Sequence, residues 1–167
     1  MIKKTKMEDS NVTILSKEGD SFTITRQQAE LSELLKPFIA EGSGDEPVPV
    51  PDVSSKVIKY IIQFMESYVA DPMKDIEKPL KSTVMKEVVQ EWYAEFVEGA
   101  DKDMFELILG ANFMDIKPLL ELTCAYTASK IKGKSPEEIR KIFDVTNDFT
   151  PEEEAQIREE NKWCEEY

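Results

Sequence analysis

A chain that does chemistry shows it in nucleophiles, general bases and metal ligands, and this one offers few. It has no histidine, which removes the commonest general base, the commonest metal ligand and the usual activator of a serine or cysteine. Asp144-Val145-Thr146-Asn147-Asp148 has the spacing that opens a calcium-binding loop. That loop fails further on, because Phe149 stands where the sharp turn needs glycine and Ala155 where the bidentate glutamate belongs. Asp101-Lys102-Asp103 fails likewise, with Glu106 already on a helix. The carboxylates at Glu152–Glu154 and at Glu159 and Glu160 read as the solvated face of a polar helix. A hydrolase built on two acids would need them in one pocket with split pKa values, and no spacing here suggests it. Cys124 sits mid-helix on an apolar stripe with no imidazole to activate it. No phosphate-binding glycine loop, nucleophile elbow or zinc-protease motif occurs. The expectation is a protein without catalytic residues, metal or cofactor, and the weight moves to binding.

Composition narrows what is bound. The chain has 167 residues, 41% apolar and 33% charged, enough for one globular domain with a core. Thirty-four acids against twenty-one bases give a net charge of -13, so nucleic acid and anionic membrane surfaces are poor partners. The N-terminal lysines precede no apolar run, so no secretory signal is expected. No stretch approaches the roughly 20 apolar residues of a membrane span. Two scattered cysteines, Cys124 and Cys164, make neither a disulfide framework nor a metal cage, which points to a reducing intracellular compartment.

The elements that position any binding surface are legible in the spacing. Val12 and Ile14, then Phe22 and Ile24, alternate with polar residues across Lys17–Asp20, a hairpin with a glycine in its turn. Leu31, Leu34, Leu35, Phe38 and Ile39 predict one half-buried helix. Residues 40–46 read as an acidic loop, and Val48-Pro49-Val50-Pro51 as a short edge strand. Asp52 or Ser54 caps a helix carrying Val57, Ile58, Ile61, Ile62, Met65 and Val69. Residues 71–88, with prolines and alternating charges, are expected to be a solvated, flexible linker. Beyond it Trp92–Val97 is a short aromatic helix. Asp101 is the expected cap of a helix striped with Phe105, Ile108, Leu109, Asn112 and Phe113. Asp115 is the expected cap of the next, where Ile116, Leu119, Leu120, Thr123, Cys124, Thr127, Ala128 and Ile131 keep the helical rhythm. That helix has a second apolar side, Leu122, Ala125 and Tyr126. It is therefore either ordinary core or sandwiched between its own core and a partner. Ser135-Pro136-Glu137-Glu138 and Thr150-Pro151-Glu152-Glu153 each spell a capping box with proline at the first helical position.

The last helix points outward. From Thr150 to Trp163 its large apolar residues are Ile157 and Trp163, too few for docking by burial, and so short a helix is marginal alone in water. Trp163-Cys164 at its end is either a binding anchor or a group that folds back onto the core.

The segments FELILGANFMDIKPLLELTC and IKGKSPEEIRKIFDVTNDFTPEEEAQIREENKWCEE resemble the Skp adaptor family of SCF ubiquitin ligases. The likeness is dense from Trp92 to Glu166 and readable from Val12 to Tyr68, with PVPVPDV in place. It implies an α+β BTB/POZ fold, a small three-stranded sheet with helices, plus a C-terminal helical extension. On this division residues 1–70 are the N-terminal part of the core, 71–88 the linker, 89–133 the helical part and 134–167 the helices that grip an F-box. The resemblance implies an adaptor joining F-box proteins to a cullin in the cytoplasm and nucleus; the uncovered apolar surface leaves a weak homodimer of the free protein open. Its alternative is an F-box-binding subunit of a non-ligase assembly, such as a kinetochore or trafficking complex. By the same resemblance the F-box surface falls on Phe105, Leu120, Cys124, Thr127, Ile131, Phe143, Val145, Trp163 and Cys164, and the cullin surface on Asn112 and Phe113. Pro151 matches a proline that some protist members hydroxylate and glycosylate. Three departures stand out. Phe113 takes a tyrosine's place, Thr127 a valine-like residue's, and Gly110 an alanine's, the last at roughly 1 kcal/mol of helix propensity.

Overall fold

The computed structural model describes residues 11–40 and 46–162. β1 (Asn11–Leu15) and β2 (Ser21–Thr25) pair antiparallel, with Ile14 opposite Phe22, and β3 (Val48–Pro49) adds parallel to β1 at the edge. Proline is tolerated there because an edge strand has a side that needs no donor. The β1–β2 turn is closed from within. Ser16 Oγ accepts from the amides of Glu18 and Asp20 at 3.2 and 3.0 Å, and Gly19 supplies the positive φ of 85°.

The helix expected over residues 31–39 is shortened to its second half, and a short helix that the spacing did not predict precedes it. α1 (Arg26–Ala29) ends after its Thr25–Gln28 capping box, and α2 (Lys36–Ala40) starts afresh. Ser32 separates them: its Oγ accepts from the Leu35 amide and donates to the Met114 carbonyl at 2.5 Å. The backbone between them runs in short turns, the Ser32 amide donating to the Ala29 carbonyl and the Leu35 amide to the Ser32 carbonyl, both at 3.1 Å, while the Ser32 side chain pins the turn to Met114.

α3 (Ser55–Ala70), capped by Ser54, buries Val57, Ile58, Ile61, Phe64 and Met65. Against it lie α4 (Glu91–Gly99) and α5 (Met104–Phe113), and Phe64 meets the rings of Tyr93 and Phe96 at 5.8 and 6.1 Å. α5 can approach α3 closely because Gly110 faces it: a Cβ there would stand 2.7 Å from Val57 Cγ1.

Three expectations need correction. Residues 71–88 carry little regular structure beyond a 3-10 turn at Met85–Glu87, but they are not simply solvated. Met73, Ile76 and Met85 are buried, and the Tyr93 hydroxyl donates to the Asp71 carbonyl at 2.6 Å. Anchors spaced irregularly along a loop leave no periodicity to find. Asp101 lies in a 3-10 turn, Asp101–Asp103, and no side-chain bond caps α5; its carboxylate accepts instead from the Tyr126 hydroxyl at 2.8 Å. Asp115 is left-handed (φ 47°), and the first helical bond of α6 (Lys117–Ile131) runs from the Leu120 amide to the Ile116 carbonyl.

The chain divides into two compact units, residues 1–129 and 130–167. In the second, α7 (Pro136–Phe143) and α8 (Pro151–Glu160) both start on complete capping boxes. α7 stops at Asp144, left-handed with φ 52°. No residue of either helix is buried. They are tied by charge: Arg158 bonds Glu137, and Arg140 Nη1 lies 3.5 Å from Glu154 Oε1. Among the described residues no helix is long and apolar enough to cross a membrane.

Candidate functional site

The buried side of α5 consists of Met104, Leu107, Gly110 and Ala111, continued by the buried Met114 at its end. At 3.6 residues per turn this forces Phe105, Leu109 and Asn112 outward, with Ile108 and Phe113 half-buried at the margin. Phe105 is 57% exposed and Leu109 67%, a large apolar surface left in water. Helical spacing thus puts Phe105 on one stripe with Asn112 and Phe113, although the sequence reading assigned them to different partners.

Beside that stripe is a hollow of about 340 Å³ whose wall includes Lys17, Glu18, Asp52, Glu106 and Leu109. It is a polar hollow. The Ser55 amide donates to Glu18 Oε2 at 2.7 Å, holding that carboxyl below the usual glutamate range. Nearby, the Lys56 ammonium at 2.6 Å and the Tyr60 hydroxyl at 3.2 Å hold Asp103 below the usual aspartate range.

α6 makes a second outward face in the same way. Leu119, Leu122, Thr123, Tyr126 and Ser129 are buried, so the apolar side holding Leu122 and Tyr126 is the core side. Leu120, Thr127 and Ala128 are left half-buried and Cys124 exposed. The helix is amphipathic in burial but not in composition. The Thr127 hydroxyl donates to its own helix at the Thr123 carbonyl, 3.0 Å away, so its polar atom is already satisfied and the departure from valine costs the face little.

A second hollow, about 410 Å³ and almost wholly apolar, lies where residues 76–80 pass over α6; Leu80, Leu120, Cys124, Ala125 and Ala128 line it. Neither hollow was foreseen. The buried Ile76 was the available signal for this one, hidden in a segment whose prolines and charges suggested solvent.

The remaining site residues belong to the second unit or lie outside the description. Ile131 and Phe143 are half-buried and Val145 is 56% exposed. Pro151 is exposed at the first position of α8. Trp163 and Cys164 lie outside the described residues.

A small three-stranded sheet bearing helices, in a chain whose residues 10–70 match a Skp1-family POZ domain, is a BTB/POZ-like α+β fold. Residues 10–70 match the Skp1 family tetramerisation domain and residues 117–164 the Skp1 family dimerisation domain; the chain belongs to the Skp1 family. It is 42% identical to a "S-phase kinase-associated protein 1 homolog" of Tetrahymena thermophila over 94% of this chain and 95% of the relative. It is 44% identical to the "E3 ubiquitin ligase complex SCF subunit sconC" of Arthroderma benhamiae over 94% of this chain and 96% of the relative. The protein of that name from Arthroderma otae is 43% identical, covering 93% and 95%.

Proposed function

We propose that this chain is the adaptor subunit of an SCF-type cullin–RING ubiquitin ligase, holding an F-box protein on the α6 face and the C-terminal helices and a cullin on the α5 face. The observation that carries it is the outward stripe Leu120, Cys124 and Thr127 on a helix whose core side is separately filled, in a chain of the Skp1 family along most of its length. The work is geometric. The adaptor performs no bond-making step; by holding receptor and scaffold in fixed relation it raises the effective concentration of substrate at the ubiquitin-charged enzyme. Phe105 goes with the F-box set and Asn112 and Phe113 with the cullin set, so α5 serves both partners along one stripe. Ile131, Phe143, Val145, Trp163 and Cys164 complete the F-box grip.

The test is calorimetric titration of a purified F-box domain into the protein, followed by the N-terminal region of a cullin. Binding of both with a strongly negative heat-capacity change supports the adaptor role. F-box binding without cullin supports a non-ligase assembly, and failure of both removes the reading. With the adaptor role goes a location in cytoplasm and nucleus, which imaging of a fluorescent fusion tests. Weak self-association of the free protein through its apolar stripes is tested by sedimentation. Hydroxylation of the exposed Pro151 is tested by intact mass of protein from its native source; no added mass on its peptide removes it.

A further inference from the structure

The apolar hollow lies between residues 76–80 and α6. On the α6 side its lining includes Ala125 and Ala128, one methyl each at i and i+3, where a larger residue would take up part of the space. Its far wall is not a loose flap. Ile76 is 8% exposed, and Met73 before it and Met85 after it are buried. Lys78 Nζ meets Glu121 Oε1 at 2.9 Å across the rim, and Lys81 pairs with Glu77. The rim charges are thus matched among themselves, and the interior offers a charged guest nothing to pair with. At about 410 Å³ the space falls within the range of sites that enclose a small ligand or large side chains. Leu120 and Cys124 line both this hollow and the outward stripe, so a partner seated on the stripe lies at its mouth.

We propose that the hollow takes an uncharged, large apolar anchor of the F-box protein, one or two leucine-, methionine- or phenylalanine-sized side chains, and that residues 76–80 select among F-box proteins by this anchor. The inference rests on the F-box reading of the α6 face. Its logic is desolvation: an apolar anchor removes the apolar lining from water, whereas a carboxylate or ammonium at that position loses its hydration without a counter-charge. F-box proteins with a charged residue there bind more weakly.

Alanine-methyl-labelled protein is mixed with an unlabelled F-box domain, and intermolecular nuclear Overhauser effects are recorded. The expected result is cross-peaks from the Ala125 and Ala128 methyls to aliphatic or aromatic protons of the partner. In parallel Leu80→Asp, checked for an unchanged unfolding midpoint and unchanged cullin binding, is expected to weaken that F-box domain at least tenfold. If the F-box domain binds the wild-type protein but the two methyls give no intermolecular cross-peaks, the anchor proposal is wrong while the adaptor reading stands. If the wild-type protein binds no F-box domain, both fall. The methyl measurement needs no substitution, so it decides the matter even if Leu80→Asp fails to fold.

Discussion

Replacing Gly110 by alanine should destabilise the protein, although helix propensity says the opposite. Alanine in a helix interior is favoured over glycine by ~1 kcal/mol. The added Cβ would stand 2.7 Å from Val57 Cγ1, 3.3 Å from Val53 Cγ1 and 3.4 Å from Ile61 Cδ1. Overpacking typically costs about 1–3 kcal/mol. Val57 is β-branched, helical and 2% exposed, so it has no second rotamer to retreat into, which argues for the upper half of that range. The net expectation is a loss of about 1–2 kcal/mol. A second substitution separates clash from propensity. In a Val57→Ala background the 2.7 Å contact disappears, and Gly110→Ala should then stabilise by ~1 kcal/mol. The two sites should therefore couple by about 2–3 kcal/mol. Urea unfolding of the four proteins of the cycle, followed by far-ultraviolet circular dichroism, measures this coupling from the transition midpoints. Stabilisation by Gly110→Ala in the wild-type background, or simple additivity, would refute the claim that close approach explains the glycine. On the proposed cullin assignment of Asn112 and Phe113, the strained variant should also bind cullin more weakly than the relieved double mutant.

Three further outcomes are expected. Bonds from the Ser135 and Thr150 amides hold Glu138 and Glu153 below the ordinary value of about 4.5. A depressed carboxyl stabilises above its unfolded value and loses that contribution as pH falls through the folded one. The Ser135 and Thr150 amide protons should therefore titrate in nuclear magnetic resonance spectra with midpoints below that value, and midpoints at or above it would count against the capping boxes. Thr127→Val should change F-box affinity by less than about threefold, since the hydroxyl is already bonded to the Thr123 carbonyl; a calorimetric loss of tenfold would show that a partner uses it. Trp163→Ala should weaken F-box binding by ~2 kcal/mol or more, and unchanged binding would remove Trp163 from the grip.

Legibility in the sequence followed the range of the interactions. The hairpin, β3, a cap at Asp52 or Ser54 and both C-terminal capping boxes depend on residues within a few positions of each other, and the structure has them, with Ser54 as the cap. Features set by contacts far along the chain were missed. The turn between α1 and α2 is pinned by Ser32 to the Met114 carbonyl, and the loop of residues 71–88 is anchored by Met73, Ile76 and Met85 in the core. For α5 and α6 a helix was foreseen but its inside was not. Both carry apolar residues on more than one side, so periodicity could not say that Leu107 and Leu122 face inward while Leu109 and Leu120 do not. Partner assignments came from resemblance alone, because nothing in spacing distinguishes a face meant for an F-box from one meant for a cullin.

The C-terminal pair of helices has a consequence for timing. α7 and α8 bury no residue; both start on a capping box with proline at the first position, and the ion pairs between them join side chains at most 21 positions apart. Contacts so local in sequence close without a long search through chain conformations. Helices of this size form and dissolve within about 0.1–1 μs, whereas two proteins docking by specific patches associate at only about 10⁵–10⁷ per molar per second. Any melting and reforming of helices this short is therefore fast against the interval between encounters, so a partner meets an equilibrated ensemble. Receptor exchange on such a subunit is then set by how long a complex lasts, and the rewinding of the arm never becomes its clock.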